Sequence, residues 1–217
     1  MKTGSTYPRK TGNLVYISIF TALIIVMGTV PFLGYIPLGV IRATTVHIPV
    51  ILGSILLGPK AGAVLGGVFG LTSFLTNTFT PNLTSFVFTP FYSLGDVHGN
   101  AFSLLICFVP RILTGVVPYF VFRGLMYLFE KRKWNDLVPL GVAGFAGAMT
   151  NTLLVMNLIF VFFRDSYAQV QGMSSQVVYG AILTIIGTNG VVEAIVAAVL
   201  VGAIGHILRK VRKKTAF

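Results

Sequence analysis

Charge is missing from this chain in long blocks. No Asp, Glu, Lys or Arg occurs from Thr11 to Ile41, from Ala43 to Pro59, or from Ala61 to Gly95. Two further blocks run from Leu137 to Phe163 and from Ser166 to Val192. A helix crossing a bilayer needs roughly 20 mostly apolar residues, and each block has room for one or nearly one. Soluble domains carry about 25% charged residues. Here only 10% of 217 residues are charged and 55% are hydrophobic. The pattern excludes disorder, which needs many charges and few apolar residues. The apolar runs are continuous rather than alternating, which argues against a transmembrane β-barrel. The expected fold is therefore an all-α integral membrane protein forming one domain over residues 1–217. Six transmembrane helices are expected near 13–32, 44–58, 61–79, 103–128, 138–163 and 177–208. The second is short and contains Pro49.

Basic residues set the expected orientation. Lys2, Arg9 and Lys10 precede the first span, and Lys60 separates the second from the third. Arg123, Lys131, Arg132 and Lys133 follow the fourth, and Arg209, Lys210, Arg212, Lys213 and Lys214 close the chain. All of these fall on one side of a six-span chain, while Arg42 and Arg164 fall on the other and Arg111 lies inside a span. The positive-inside rule then places both termini in the cytoplasm, with basic tails over about 1–12 and 209–217. The net charge of +11 suits anionic lipid headgroups, and no nucleic-acid partner is expected. The first apolar stretch exceeds an h-region of about 7–15 residues and lacks an A-x-A site, so it reads as a retained helix rather than a cleaved signal peptide.

The expected outer segments are 31–43, 80–102 and 164–176. The middle one carries Pro81, Phe86, Phe88, Pro90, Phe91 and Tyr92. Aromatic residues in an outer loop fit either an interfacial belt or a lid folded over an apolar cavity. Small residues recur four apart: Gly62, Gly66 and Gly70 in the third span, Gly144 and Ala148 in the fifth. Such rows let helix backbones approach closely where lipid supplies no hydrophobic drive.

Polar residues stranded in apolar helices mark the candidate site. Arg111 lies about 12 Å along the fourth helix from its outer end, at 1.5 Å per residue. Asn151 and Asn157 occupy the fifth span, and Asn189 and Glu193 stand one turn apart in the sixth. An ionised side chain at the bilayer centre costs about 2.5–3.5 kcal/mol or more, so it faces a cavity or a partner. Arg111 and Glu193 could neutralise each other as a structural pair. Alternatively, Arg111 offers a planar fork of donors to a carboxylate, and the asparagines offer both donors and acceptors. His47, in the second span beside Pro49, fits either packing or binding.

Catalytic signals are missing. The sequence has neither H-E-x-x-H nor G-x-S-x-G, and its five acids and three histidines are scattered. No metal or other cofactor is expected. Gly53-Ser-Ile-Leu-Leu-Gly-Pro-Lys-Ala departs from a phosphate-binding loop at Pro59 and Ala61. Cys107 is the single cysteine, so no disulfide scaffold is available. The chain is expected not to be an enzyme.

One stretch carries a resemblance. Tyr35 to Gly67, with Thr45-Val-His-Ile-Pro followed by Leu57-Gly-Pro-Lys-Ala-Gly, resembles the start of a substrate-binding S component of the energy-coupling factor transporters. These import vitamins into bacteria. The wording, with the later Phe86-Val-Phe-Thr-Pro-Phe, is most similar to the pantothenate-specific members. The resemblance implies a protein of the bacterial cell membrane with an S-component-like bundle. It implies capture of pantothenate or a related small vitamin on the outer face, followed by toppling inward. A transmembrane coupling subunit (EcfT-like) and two ATPase subunits would supply docking and ATP hydrolysis. Ser18 and Ala22 match the small-residue pair by which first helices in that family dock.

On this reading Arg111 would take the carboxylate, and Asn157 and Asn189 the hydroxyl and amide groups. Phe86, Phe88 or Tyr92 would meet the methyl groups, and Asn151, Glu193 and His47 complete the candidate set. Two alternatives stand beside it. One is an S component for another vitamin such as riboflavin, which would ask for more aromatic stacking. The other is a structural membrane protein in which Arg111 merely pairs with Glu193.

Overall fold

The computed structural model describes the backbone of residues 9–30, 34–38, 41–128 and 136–215. The chain is mostly helical, in the order α1 (Arg9–Thr29), β1 (Tyr35–Leu38), β2 (Ile41–Thr44), α2 (His47–Leu57), α3 (Pro59–Phe79), β3 (Ser93–Leu94), β4 (Val97–His98), α4 (Ala101–Leu128), α5 (Leu137–Gln171), α6 (Val178–Ile185) and α7 (Val191–Thr215). A π-helical turn, Ile186–Gly190, joins α6 to α7, so the last two helices form one rod.

Among the described residues, four helices are long and apolar enough to cross a membrane: α3, α4, α5 and the α6–α7 rod. Asn13–Thr29 of α1 and His47–Leu57 are shorter apolar helices. The basic residues Lys2, Lys131, Arg132 and Lys133, and Pro31 at the start of the first outer segment, lie outside the described residues.

α2 is the hub. It packs against α1, α3, α4, α5 and α7, and its residues from His47 to Ile55 are all buried. Pro49 costs no internal hydrogen bond, because it stands in the first turn, where amide hydrogens lack helical acceptors. Gly58, at φ 102° and ψ 169°, breaks α2 from α3 in a conformation open to glycine alone. Pro59 then starts α3 with its φ already set.

Two apolar clusters lie at opposite ends of the bundle. One gathers Phe20, Ile24, Ile51, Leu65, Phe122, Leu140, Ala148, Ala194 and Val201 toward the C-terminal tail. The other gathers Phe86, Val97, Ile106, Val155, Ile159, Phe163 and Ile182 toward the 80–100 segment. On three elements the stranded polar residues fall between the two. Arg111 lies between Ile106 and Phe122, Asn151 and Thr152 between Ala148 and Val155, and Asn189 and Glu193 between Ile182 and Ala194.

The glycine rows make the seams. A methyl built on Gly62 would stand 1.8 Å from the Gly115 carbonyl oxygen, and one on Gly66 would stand 2.3 Å from that of Arg111. Gly144 abuts the Ala197 carbonyl at 2.8 Å in the same sense. The backbones of α3 and α4, and of α5 and α7, therefore touch only because no side chain intervenes.

Three outer segments depart from expectation. Residues 35–38 and 41–44 pair as antiparallel strands, Tyr35 opposite Thr44 and Leu38 opposite Ile41, so Thr44, expected to open the second span, belongs to a strand and the helix starts at His47. Residues 80–102 contain a 3-10 turn (Ser85–Val87) and a two-residue hairpin, Ser93 opposite His98. The fifth helix does not end at Phe163. It kinks there (φ −133°, ψ 21°) and runs on to Gln171, so 164–171 is helix. Arg164 and Ser175 explain the extension: Arg164 Nε donates to the Ser175 carbonyl, and Ser175 Oγ donates to Asp165. Gly172, in the left-handed region (φ 64°), closes the helix with the Met173 amide reaching back to the Ala168 carbonyl.

Candidate functional site

The third helix and the outer segment build the surroundings of Arg111. Its side chain is 7% exposed and extends toward the start of α4, the direction in which helical side chains lean. Nη1 donates to the Ile106 carbonyl at 2.9 Å, and Nη2 lies 3.5 Å from Ser73 Oγ on α3. The guanidinium carbon stands 4.8 Å from the centre of the Phe88 ring and 5.7 Å from that of Phe69. Two aromatic faces therefore flank the cation, an arrangement that stabilises charge away from water.

Phe88 reaches this position because the 80–100 segment is knitted down. Ser103 Oγ donates to the Phe86 carbonyl at 2.7 Å, Ser85 Oγ to Asn77 Oδ1 at 2.7 Å, and the Thr78 and Thr89 hydroxyls meet at 2.8 Å. Phe86 and Val87 are fully buried. The aromatic segment thus covers the bundle at Arg111, while Phe91, 76% exposed, points outward. Tyr92 is half-buried and packs on the loop-side cluster.

Glu193 has a different partner from the one the sequence offered. Its Oε1 accepts the Thr44 amide hydrogen at 2.8 Å, tying the end of the β1–β2 hairpin to α7. The Arg111–Glu193 pair is not formed. Among the described residues, ion pairs join Asp136 to His206 and to Arg209 at the opposite end.

Asn189 sits half-buried in the π-turn, which contacts β2 of the hairpin and α5. Such turns insert one residue into a helix and recur at functional positions. Thr152 of α5, the residue after Asn151, packs against Gly190 of that turn. His47 is 2% exposed, at the α2 end nearest the hairpin. Its Nε2 and Asn151 Oδ1 are buried without a hydrogen-bond partner.

Asn157 is not brought in. It lies on the exposed stripe of α5 with Leu153 and Val161, and its amide donates back to the Leu153 carbonyl. Ser18 and Ala22 lie together on the exposed face of α1, with Leu14, Ile19 and Val26. Ser18 Oγ is turned back onto the Leu14 carbonyl, so it presents a small, internally satisfied surface.

Sequence reasoning missed Ser73 and Phe69 as neighbours of Arg111. The signal for Ser73 was its pairing with Asn77 one turn on, a polar stripe within an apolar helix. Nothing in the sequence singled out Phe69 among eighteen phenylalanines. The site as built is a polar layer between two apolar clusters, with a cation at its loop end and amide, imidazole and carboxylate groups deeper.

The sequence matches the family model for "ECF transporter, substrate-specific component" over residues 12–205. It is 38% identical over 203 residues to a protein named pantothenic acid transporter PanT from Lactococcus lactis subsp. cremoris, covering 93% of this chain and 91% of that one. It is 31% identical over 204 residues to a pantothenate transporter PanT from Leuconostoc mesenteroides, covering 92% and 93%. Among solved structures, it matches an S-component for biotin from an ECF-type ABC transporter. That match has a TM-score of 0.51 at 18% identity and covers 95% of each chain, a likeness of fold.

Proposed function

This chain belongs to the family of ECF transporter substrate-specific components, and from that premise we propose that it is the subunit that captures pantothenate from outside a bacterial cell. The observation that carries the reading is the Arg111 guanidinium, buried between Phe69 and Phe88 in an otherwise apolar interior. Such a cation is costly to keep in hydrocarbon and is worth keeping where an anion meets it. A planar fork of donors suits a carboxylate better than a neutral ring system. Relatives with pantothenate in their names agree with an acidic ligand.

Phe88 and Tyr92 offer apolar surface to the gem-dimethyl group, and Asn189, in the π-turn, serves the amide. The Thr44–Glu193 bond holds the hairpin over this layer. In this reading α1 and α2 supply two further crossings. α2 covers only about 16 Å at 1.5 Å per residue, and the hairpin completes its path. Both termini are cytoplasmic, which keeps the basic tail beside anionic headgroups. The exposed α1 face with Ser18 and Ala22 docks an EcfT-like coupling subunit carrying two ATPase subunits, and toppling then delivers the vitamin inward. The isolated chain performs capture and no chemistry.

Titration of the purified chain in lipid, without partners or ATP, tests this. Labelled pantothenate is expected to bind saturably at one site per chain, with riboflavin failing to compete. Absence of pantothenate binding, or displacement by riboflavin, contradicts it.

A further inference from the structure

Pro110 stands inside α4, one residue before Arg111. A helical amide donates to the carbonyl four residues back. Proline has no amide hydrogen to give, and its ring crowds that same carbonyl. In α4 the acceptor left over is the Ile106 carbonyl. Ile106 is fully buried, so water does not make good the loss, and a buried carbonyl left unmet is costly. The side chain that meets it belongs to the next residue along: Arg111 Nη1 donates to the Ile106 carbonyl at 2.9 Å. Helical side chains lean back toward the N-terminus, so an arginine directly after the proline is aimed at the carbonyl that the proline frees. The two residues work as one device, the first opening an acceptor and the second closing it.

The surroundings decide how much this bond governs. The root of Arg111 is clamped to α3, where a methyl on Gly66 would stand 2.3 Å from the Arg111 carbonyl oxygen. Cys107 Sγ donates to the Gly70 carbonyl at 3.3 Å, tying the same turn of α4 to the same helix. The tip is held more loosely. Nη2 reaches Ser73 Oγ only at 3.5 Å, and the Phe88 and Phe69 rings, at 4.8 and 5.7 Å, attract the charge without fixing the direction of its donors. Of these contacts, the bond to Ile106 is the one short and directional enough to aim the guanidinium.

Resting on the reading that Arg111 serves the vitamin, we infer that Pro110 is a positioning residue: it frees the Ile106 carbonyl so that the Arg111 guanidinium is drawn back along α4 and held between Phe69 and Phe88. Pro110 acts through Arg111 and touches no ligand itself. The same helix supplies its own control. Pro118 lies two turns further on and is likewise inside α4, but the residue after it is Tyr119 and not a cation.

Two double-substitution cycles on the purified full chain test this, one by thermal unfolding without ligand and one by binding of labelled pantothenate. Pro110→Ala returns an amide to the helix ladder, so it is expected to unfold at or above the temperature of the unaltered chain. Arg111→Ala on its own leaves the Ile106 carbonyl unmet and should lower the unfolding temperature by several degrees while the chain still folds. In the Pro110→Ala background the same change should cost much less, because the amide at position 110 then takes that carbonyl. For pantothenate, Pro110→Ala alone is expected to weaken binding about three- to tenfold, and to make less than about a twofold difference once Arg111 is replaced by alanine. Pro118→Ala should combine additively with Arg111→Ala in both cycles. Additive effects of Pro110→Ala and Arg111→Ala on unfolding, or pantothenate binding unchanged by Pro110→Ala, overturn the inference. Coupling of equal size at Pro118 overturns it as well, since that marks a general softening of α4. If the unaltered chain binds no pantothenate, the vitamin reading fails by itself, and the ligand-free cycle still decides whether Pro110 places the guanidinium.

Discussion

At the scale of single residues, Arg111 does what a buried cation can do only with help. Phe69 and Phe88 flank it, and Ile106 and Ser73 orient it. Replacing it with alanine removes the anion partner but leaves the glycine seams and both apolar clusters untouched. Arg111→Ala is therefore expected to insert and purify normally. It should lose about a hundredfold or more in pantothenate affinity, the usual cost of deleting one member of a buried charge pair. Arg111→Lys should fall between, keeping charge without the fork. Unchanged binding of labelled pantothenate by Arg111→Ala would remove the carboxylate assignment. The burial of Arg111 within the bundle was legible in the sequence because a charge in an apolar run must face a cavity or a partner. The partner of Glu193 was not, because a backbone amide on a hairpin leaves no trace in residue identity. The exposed position of Asn157 was not legible for a related reason: depth along a helix is readable from spacing, but which face is buried depends on neighbours that one helix does not name.

At the scale of elements, glycine spacing was a reliable guide. Gly62, Gly66 and Gly70 face α4 as the four-residue period requires, with Gly62 against Gly115 and Gly66 against Arg111. The π-turn at Ile186–Gly190 and the hairpin at residues 35–44 were invisible, since both arise from tertiary contact rather than local preference. The fifth helix ran past its apolar block because a kink at Phe163 and the Arg164–Ser175 bond carry it on. α1 is the element with the most to offer a partner. It buries Phe20 and Ile24 and leaves Ser18 and Ala22 on an open apolar face. A tryptophan there lies away from the proposed vitamin site and would fill the close approach that small residues permit in the proposed docking. Ala22→Trp is expected to bind pantothenate as the unaltered chain does and to lose co-purification with the coupling subunit, together with uptake. Normal co-purification would show that α1 docks by another face.

At the scale of the whole molecule, two apolar clusters bracket the polar layer, which the proposed function makes the cargo space. The fixed 80–100 segment and the hairpin close that layer at one end. The Asp136–His206 and Asp136–Arg209 pairs, with Arg212 on the Leu56 carbonyl, lock the other. This asymmetry predicts that the site is reached from the hairpin side, opposite the basic tail. Charge alone carries the expectation of sidedness, because the positive-inside rule acts on loops whatever their structure. The enclosure was not legible, because it depends on a loop folding back. Labelled pantothenate binding to sealed vesicles containing this chain alone, prepared right-side-out or inverted and without ATP, tests the account most directly. The expected result is saturable binding to right-side-out vesicles that excess panthenol, the alcohol lacking the carboxylate, does not displace. Binding confined to inverted vesicles, or displacement by panthenol, would contradict it.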